Sequence, residues 1–146
     1  MSGFETDLLT GVAQLIAAAN LGVWRSTGVY ATTEVGITFD TIPQAPDGVI
    51  TLTDYVVSDD PTLSDSVIGV QVRTRAAGQD PRPVKDLDGA IFNVLHGLEG
   101  VTLSGGVHLV SMTRRSGASL GQDANNRWMR SSNYYATVWR PSANRS

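Results

Sequence analysis

The fold is decided by Val49-Ile-Thr-Leu-Thr-Asp-Tyr-Val-Val57 and by the segment Ile68-Gly-Val-Gln-Val-Arg-Thr-Arg75 that follows it. The first segment is rich in β-branched residues, and the second alternates apolar with polar side chains, so both are predicted to be strands. Residues 58–65 between them are polar and acidic. We therefore expect an antiparallel hairpin with an acidic loop at its tip.

The sequence before this hairpin predicts a helix and one further strand. The pattern Ser2-x-x-Glu5 is a capping box, and an apolar stripe follows it, which predicts a helix over about residues 3–19. A period of two over residues 34–40 predicts a half-buried strand, and Pro43 and Pro46 predict a turn after it. The helical stripe consists of Leu8, Leu9, Val12, Leu15 and Ile16.

The sequence after the hairpin predicts a second helix and two more strands. Asp80-Pro81 is a typical helix start, and the following apolar stripe runs to Leu98. Residues 106–115 and 128–140 are predicted to be strands. Residues 116–127 are rich in Ser, Gly, Asn and Gln, so we expect a loop there. The stripe of this helix consists of Val84, Leu87, Ile91, Leu95 and Leu98.

The predicted order is thus α-β-β-β-α-β-β. It favours an α+β two-layer sandwich in which two helices pack on one face of a mainly antiparallel sheet of about five strands. We expect a single domain over residues 1–146, with an arm-like loop at about 116–127 and a polar C-terminal tail at 141–146.

The composition excludes several chemistries. The chain has 146 residues and no cysteine, so it has no disulfides, thiolate metal sites or thiol nucleophiles. Its two histidines, His96 and His108, lack the carboxylate spacing of a metal motif. No apolar run reaches the roughly 18 residues of a membrane span, and the first 20 residues do not resemble a signal peptide. We expect no metal, no cofactor and no membrane association.

The charge is unevenly distributed along the chain. Residues 1–65 carry nine acidic residues and one basic residue, a net charge of −8, whereas residues 66–146 carry five acidic and ten basic residues, a net charge of +5. Charged residues make up only 17% of the chain, against about 25% in typical soluble domains. This low charge fraction predicts that part of the surface is covered by partners.

One catalytic motif is present but lacks its context. Gly117-Ala-Ser119-Leu-Gly121 matches the G-x-S-x-G nucleophile elbow, which needs a preceding strand, a following helix and a later histidine. Here a polar segment follows, and both histidines precede the serine. We therefore expect that the protein is not an enzyme, with Ser119 as the remaining candidate nucleophile.

The candidate functional residues are those of an interaction surface. Arg, Trp and Tyr are enriched in protein interfaces, and an acidic patch on one subunit can meet a basic patch on another. The basic group near Trp128 could also suggest nucleic acid, but the chain is acidic overall and has no nucleic-acid-binding motif. The predicted interface residues are Asp59, Asp60, Asp65, Arg73, Arg75, Arg114, Arg115, Arg127, Trp128 and Arg130.

Three segments together carry a family resemblance. They are Thr41-Ile-Pro43-Gln-Ala-Pro46-Asp47-Gly-Val-Ile-Thr-Leu-Thr53-Asp-Tyr55, Gly69-Val-Gln71-Val-Arg73-Thr-Arg75, and the region from Asp80-Pro81 to Leu95-His96-Gly97-Leu98. In order and spacing they resemble the tail terminator or "minor capsid" proteins of long-tailed bacteriophages, especially those of actinobacterial hosts. The resemblance covers about residues 1–100.

The resemblance implies a structural role in the virion. Such proteins form a ring, usually a hexamer, at the head-proximal end of the tail tube. The ring ends tube polymerisation and joins the head connector, and DNA only passes through its lumen. The implied partners are other copies of the chain, the major tail tube protein and the connector or stopper protein, after assembly in the host cytoplasm.

Two other roles remain open at this point. A head-completion or stopper protein of the connector also forms rings without catalytic residues. A tail assembly chaperone would be absent from the finished virion.

Overall fold

The computed structural model describes residues 3–145 as two helices and one six-stranded sheet. The elements in chain order are α1 (Phe4–Ala18), β1 (Gly36–Phe39), β2 (Val49–Asp59), β3 (Asp65–Arg75), α2 (Arg82–Leu95), β4 (Glu99–Thr102), β5 (His108–Gln122) and β6 (Trp128–Trp139). The sheet order is β1-β2-β3-β6-β5-β4. The predicted α+β class is confirmed.

Both helices bury most of their predicted stripes in one core with the sheet, but α2 ends at Leu95, so Leu98 of the predicted stripe lies beyond the helix. Leu8, Val12 and Ile16 of α1 are fully buried, as are Ile91 and Leu95 of α2. The sheet contributes alternate residues from adjacent strands, because Val70 of β3 lies opposite Tyr134 of β6 and Ile68 lies opposite Ala136.

The helix starts follow local hydrogen bonding. Residue Gly3 is the N-cap of α1, and the predicted cap Ser2 lies outside the described residues. At α2 the N-cap is Pro81, but the carboxylate of Asp80 still accepts the backbone N–H of Arg82 at 2.9 Å. Asp80 therefore satisfies one of the free donors at the start of α2, as the sequence predicts.

The sheet differs from the prediction in strand number and direction. It has six strands, since β4 pairs antiparallel with β5 through Val101 and Leu109. This strand was missed because it has only four residues, all exposed or half-buried, and Gly100 within it has a positive φ of 61°. Strand β1 runs parallel to β2, because residues 40–48 carry the chain back to the start of β1 before β2 begins.

The expected loop at 116–127 is wrong for most of its length. Residues 116–122 continue β5 and pair with β6, from Ser116 opposite Asn133 to Gln122 opposite Trp128. Only residues 123–127 form the turn. Small polar residues predicted a loop, but backbone pairing with β6 holds them in a strand, which β-bulges interrupt at residues 115 and 120.

Candidate assembly surfaces

The acidic end of the sheet consists of the β2–β3 loop and its neighbours. Asp59 accepts a hydrogen bond from the hydroxyl of Ser66 at 2.6 Å. The backbone N–H and the hydroxyl of Thr62 donate to Asp60 at 2.8 and 2.7 Å, and they hold its pKa below the usual range. Asp65 begins β3 opposite Trp139. The three predicted acidic residues therefore lie together at this end.

The C-terminal segment folds back onto the acidic end. The Arg145 guanidinium donates to the Ser66 hydroxyl at 2.6 Å and lies 3.9 Å from the carboxylate of Asp59. Arg140 pairs with Glu5 at 2.6 Å, and this bond lowers the pKa of Glu5. Both contacts were missed by the sequence analysis, because it assigned Arg140 to the end of a predicted strand and Arg145 to a polar tail. The acidic end is thus partly neutralised within the chain.

The opposite end, here called the hairpin end, comprises residues 40–48 and the β5–β6 turn at 123–127. Arg75 is only 3% exposed. Its guanidinium donates to the backbone carbonyls of Pro43, Pro46 and Asp47 at 2.6 to 2.8 Å. Burial and the neighbouring Arg127 lower the pKa of Arg75. This side chain fixes the proline-containing connection against the sheet.

Arg127 completes the same network. It is buried, and it contacts the carboxylate of Asp123 at 2.9 Å and that of Asp47 at 3.0 Å. The backbone N–H of Arg127 also donates to Asp123 and lowers the pKa of that carboxyl. The structure therefore gives Arg75 and Arg127 an internal role in place of the expected contact with another subunit.

Three other predicted interface residues also contact their own chain. Arg73 donates to the backbone carbonyl of Asp40 at 3.1 Å, and the Trp128 indole donates to that of Gln79 at 2.7 Å. Arg130 lies 3.3 Å from the buried carboxylate of Asp88, to which Ser132 also donates.

Arg114 and Arg115 differ from all of these. Both are exposed on β5, and among the described residues neither forms an ion pair. Arg114 lies over the ring of Phe92 at 4.3 Å, and Arg115 lies over the ring of Tyr135 at 5.1 Å. Aromatic contacts hold these cations in place and leave their hydrogen-bond donors available to a partner.

The histidines and Ser119 have local contacts. His96 stacks on Phe92, and its Nδ1 accepts the backbone N–H of Arg114 at 3.0 Å. His108 contacts the Thr102 hydroxyl at 3.3 Å. Ser119 lies inside β5, whereas a nucleophile elbow lies at a turn between a strand and a helix.

Residues 3–145 contain no cluster of three or more acidic or histidine side chains that could hold a metal ion. Neither helix has the length and apolar character needed to cross a membrane.

Comparison with known proteins identifies the family. The fold is similar to that of a chain in a solved structure described as "Virion of native gene transfer agent (GTA) particle", with a TM-score of 0.65 and 19% identity. The similarity covers 90% of this chain and 93% of that one. No curated protein sequence matches the chain. The bacteriophage tail terminator family matches residues 15–139.

The family match defines a structural protein of the bacteriophage tail. The chain belongs to the bacteriophage tail terminator family, as its sequence resemblance predicted. A virion component must contact other virion proteins, so the charged surfaces described above are candidate assembly surfaces.

Proposed function

We propose that this protein forms a ring, a hexamer in the simplest case, at the head-proximal end of the tail tube. The ring ends polymerisation of the major tail tube protein and provides the surface that joins the head connector. DNA passes through its lumen, and assembly takes place in the host cytoplasm. The observation that carries this proposal is the family match, which spans residues 15–139.

The charged surfaces support a head-to-tail contact between copies. In a ring each subunit uses two different patches, one for each neighbour. Arg114 and Arg115 are exposed next to each other on β5, with their guanidinium groups on opposite faces of the sheet, and they form one patch. The acidic end with Asp59, Asp60 and Asp65 forms the other. The arginines have no carboxylate partner among residues 3–145. We assign the contact with the acidic end to Arg114 and Arg115.

Imaging and native mass measurement test the ring. The purified protein is examined by native mass spectrometry and negative-stain microscopy, alone and with isolated tail tubes. Rings that cap one end of the tubes are the expected result. A monomer that never caps tubes contradicts the proposal. Binding to connectors without binding to tubes would indicate a head-completion protein, and absence from purified virions would indicate a chaperone.

Charge reversal tests the contact. Asp59→Lys/Asp60→Lys and Arg114→Glu/Arg115→Glu should each prevent ring formation, because like charges then meet at every interface. An equimolar mixture should restore rings, since alternating subunits are complementary at every interface. Asp86→Lys/Glu99→Lys makes the same charge change at other exposed positions and is the matched control. Failure of the mixture to assemble would contradict this contact.

A further inference from the structure

Strand β5 has an outer edge that lacks a partner strand along half its length. Strand β4 pairs with it only as far as Ser111. Beyond that point Gly97 and Leu98 bond to Met112, and His96 accepts the N–H of Arg114. From residue 115 to 122, no strand of the described chain lies on the outer side of β5.

Strand β2 has a similar open segment on the other edge of the sheet. Strand β1 ends with Phe39 opposite Leu52, and the N–H of Asp40 donates to the carbonyl of Leu52. From residue 53 to 59, β2 pairs with β3 on one side and with no described strand on the other. Val56 in this segment is 70% exposed.

Unpaired strand edges bind other strands, and proteins usually protect them with lysine, proline or bulges. Neither open segment contains lysine or proline. Bulges interrupt pairing at residues 57, 115 and 120 and leave two regular segments of four residues, Thr53–Val56 on β2 and Ser116–Ser119 on β5. Two short regular edges of equal length therefore remain available for backbone hydrogen bonding.

We propose that β2 of one copy pairs antiparallel with β5 of the next copy, so that one sheet continues across each interface of the ring. This inference rests on the proposed function. Paired residues must lie on the same face of the continued sheet, because the helices cover the same face in every copy of a ring. Val56 and Gly117 share the helix-covered face, since they lie opposite Ile68 and Ser132. In the register that matches these faces, Val56 of one copy lies opposite Gly117 of the next, and Asp59 lies opposite Arg114.

Charge selects this pairing. Antiparallel alignment places Asp59 and Asp60, at the end of β2, beside Arg114 and Arg115, at the start of the open β5 segment. Pairing of β2 with a second β2 would instead bring the two Asp54 carboxylates close together. Opposite charges across neighbouring strands stabilise a strand pair, whereas like charges directly opposite destabilise it.

Geometry makes the contact compatible with a closed ring. The open segment of β2 lies at the acidic end of the sheet, whereas that of β5 lies toward the hairpin end. Neighbouring copies must therefore shift relative to one another along the strand direction. A closed sheet accommodates such a shift when its strands tilt from the ring axis, as in barrels.

The absence of cysteine permits a direct cross-linking test. Val56→Cys/Gly117→Cys in the full chain should give, after mild oxidation, a ladder of disulfide-linked species up to the size of the ring. Val29→Cys/Gly117→Cys is the matched control, because Val29 is also 70% exposed but lies outside the proposed contact. The control and the single variants Val56→Cys and Gly117→Cys should remain monomers on denaturing gels.

The outcomes separate this inference from the proposed function. If native mass spectrometry detects rings but no cross-links form, the strand pairing is wrong and the proposed ring still holds. Disulfide dimers of Gly117→Cys alone overturn it in favour of a symmetric β5–β5 contact. No rings with or without tail tubes would contradict both proposals.

Amide hydrogen exchange gives an independent measurement that needs no substitution. In the wild-type protein, outward-facing amides within Ser116–Ser119 should exchange about tenfold or more slowly in the ring than in the monomer. Inward-facing amides of the same segment already bond to β6 and serve as the internal reference. Unchanged exchange of the outward-facing amides in rings would also overturn the pairing.

Discussion

Two pairs of arginines on the same sheet contrast sharply. Arg75 and Arg127 at the hairpin end are buried, and backbone carbonyls and the carboxylates of Asp47 and Asp123 surround them. Arg114 and Arg115 on β5 are exposed, and within residues 3–145 their charged groups lie over aromatic rings and form no ion pair. The basic half of the chain therefore contains both cations that hold the fold together and exposed cations without a carboxylate partner in the described part of the chain.

Replacing Arg75 is the strongest way to test this contrast. Arg75→Met leaves several backbone carbonyls without a donor and frees the connection at residues 40–48. We expect a loss of about 3 kcal/mol in the free energy of unfolding, because the buried carbonyls would be desolvated without a compensating hydrogen bond. Urea unfolding measures this loss. Arg114→Met is the matched control. Equal losses of unfolding free energy in the two variants would show that the buried and the exposed arginine do not differ in their contribution to stability.

Tyr134→Phe tests whether a buried polar group stabilises the fold only when it has a hydrogen-bond partner. The Tyr134 hydroxyl is fully buried and has no hydrogen-bond partner within residues 3–145, and burial raises its pKa. Removing this oxygen should increase the free energy of unfolding by about 1 kcal/mol. Thermal unfolding of both proteins measures the change. A destabilised Phe variant would indicate that the hydroxyl has a partner in solution.

Arg114→Ala should have a small effect on stability, about 0.5 kcal/mol, since an exposed contact with the Phe92 ring is weak. Its effect on assembly should be larger, because the same guanidinium is proposed to face a carboxylate of the next copy. Urea unfolding of the monomer and native mass of the assembled protein measure the two effects separately. A loss of stability as large as that of Arg75→Met would contradict the proposed difference between these arginines.

Acid should loosen the hairpin end locally. The pKa of Asp123 is lowered in the folded state, chiefly by the backbone N–H of Arg127. Its stabilising contribution is therefore present above the pKa of the unfolded chain, about 4, and is lost as the pH falls through the lower folded value. NMR titration of residues 123–127 measures this transition. Asp123→Asn should remove it, and a transition that persists in this variant would assign it to another group.

The sequence predicted those parts of the fold that have strong periodicity. The stripes of both helices and the hairpin around residues 58–65 are confirmed because burial of one face imposes a regular pattern. Strand β4 and residues 116–122 were missed because they are exposed, and backbone pairing alone makes them strands. The parallel direction of β1 follows from the return of the chain over residues 40–48, and this irregular connection leaves no periodic signal.

The candidate surfaces were predictable only in part. Clustered acids in one loop are close in space whatever the fold, so Asp59 and Asp60 were identified correctly as neighbours. The partners of each arginine depend on contacts between residues far apart in the sequence. Arg127, for example, contacts Asp47 across 80 positions, and Arg145 reaches Ser66 across 79. Such contacts cannot be inferred from spacing.

The central position of the β3–β6 pair has a consequence for folding kinetics. The β2–β3 and β5–β6 hairpins join strands that are adjacent in sequence, so each can form early by local loop closure. The seam between β3 and β6 joins residues as distant as Asp65 and Trp139. Because such non-local pairing closes the longest loops, we expect docking of the two hairpins along this seam to limit the rate of folding.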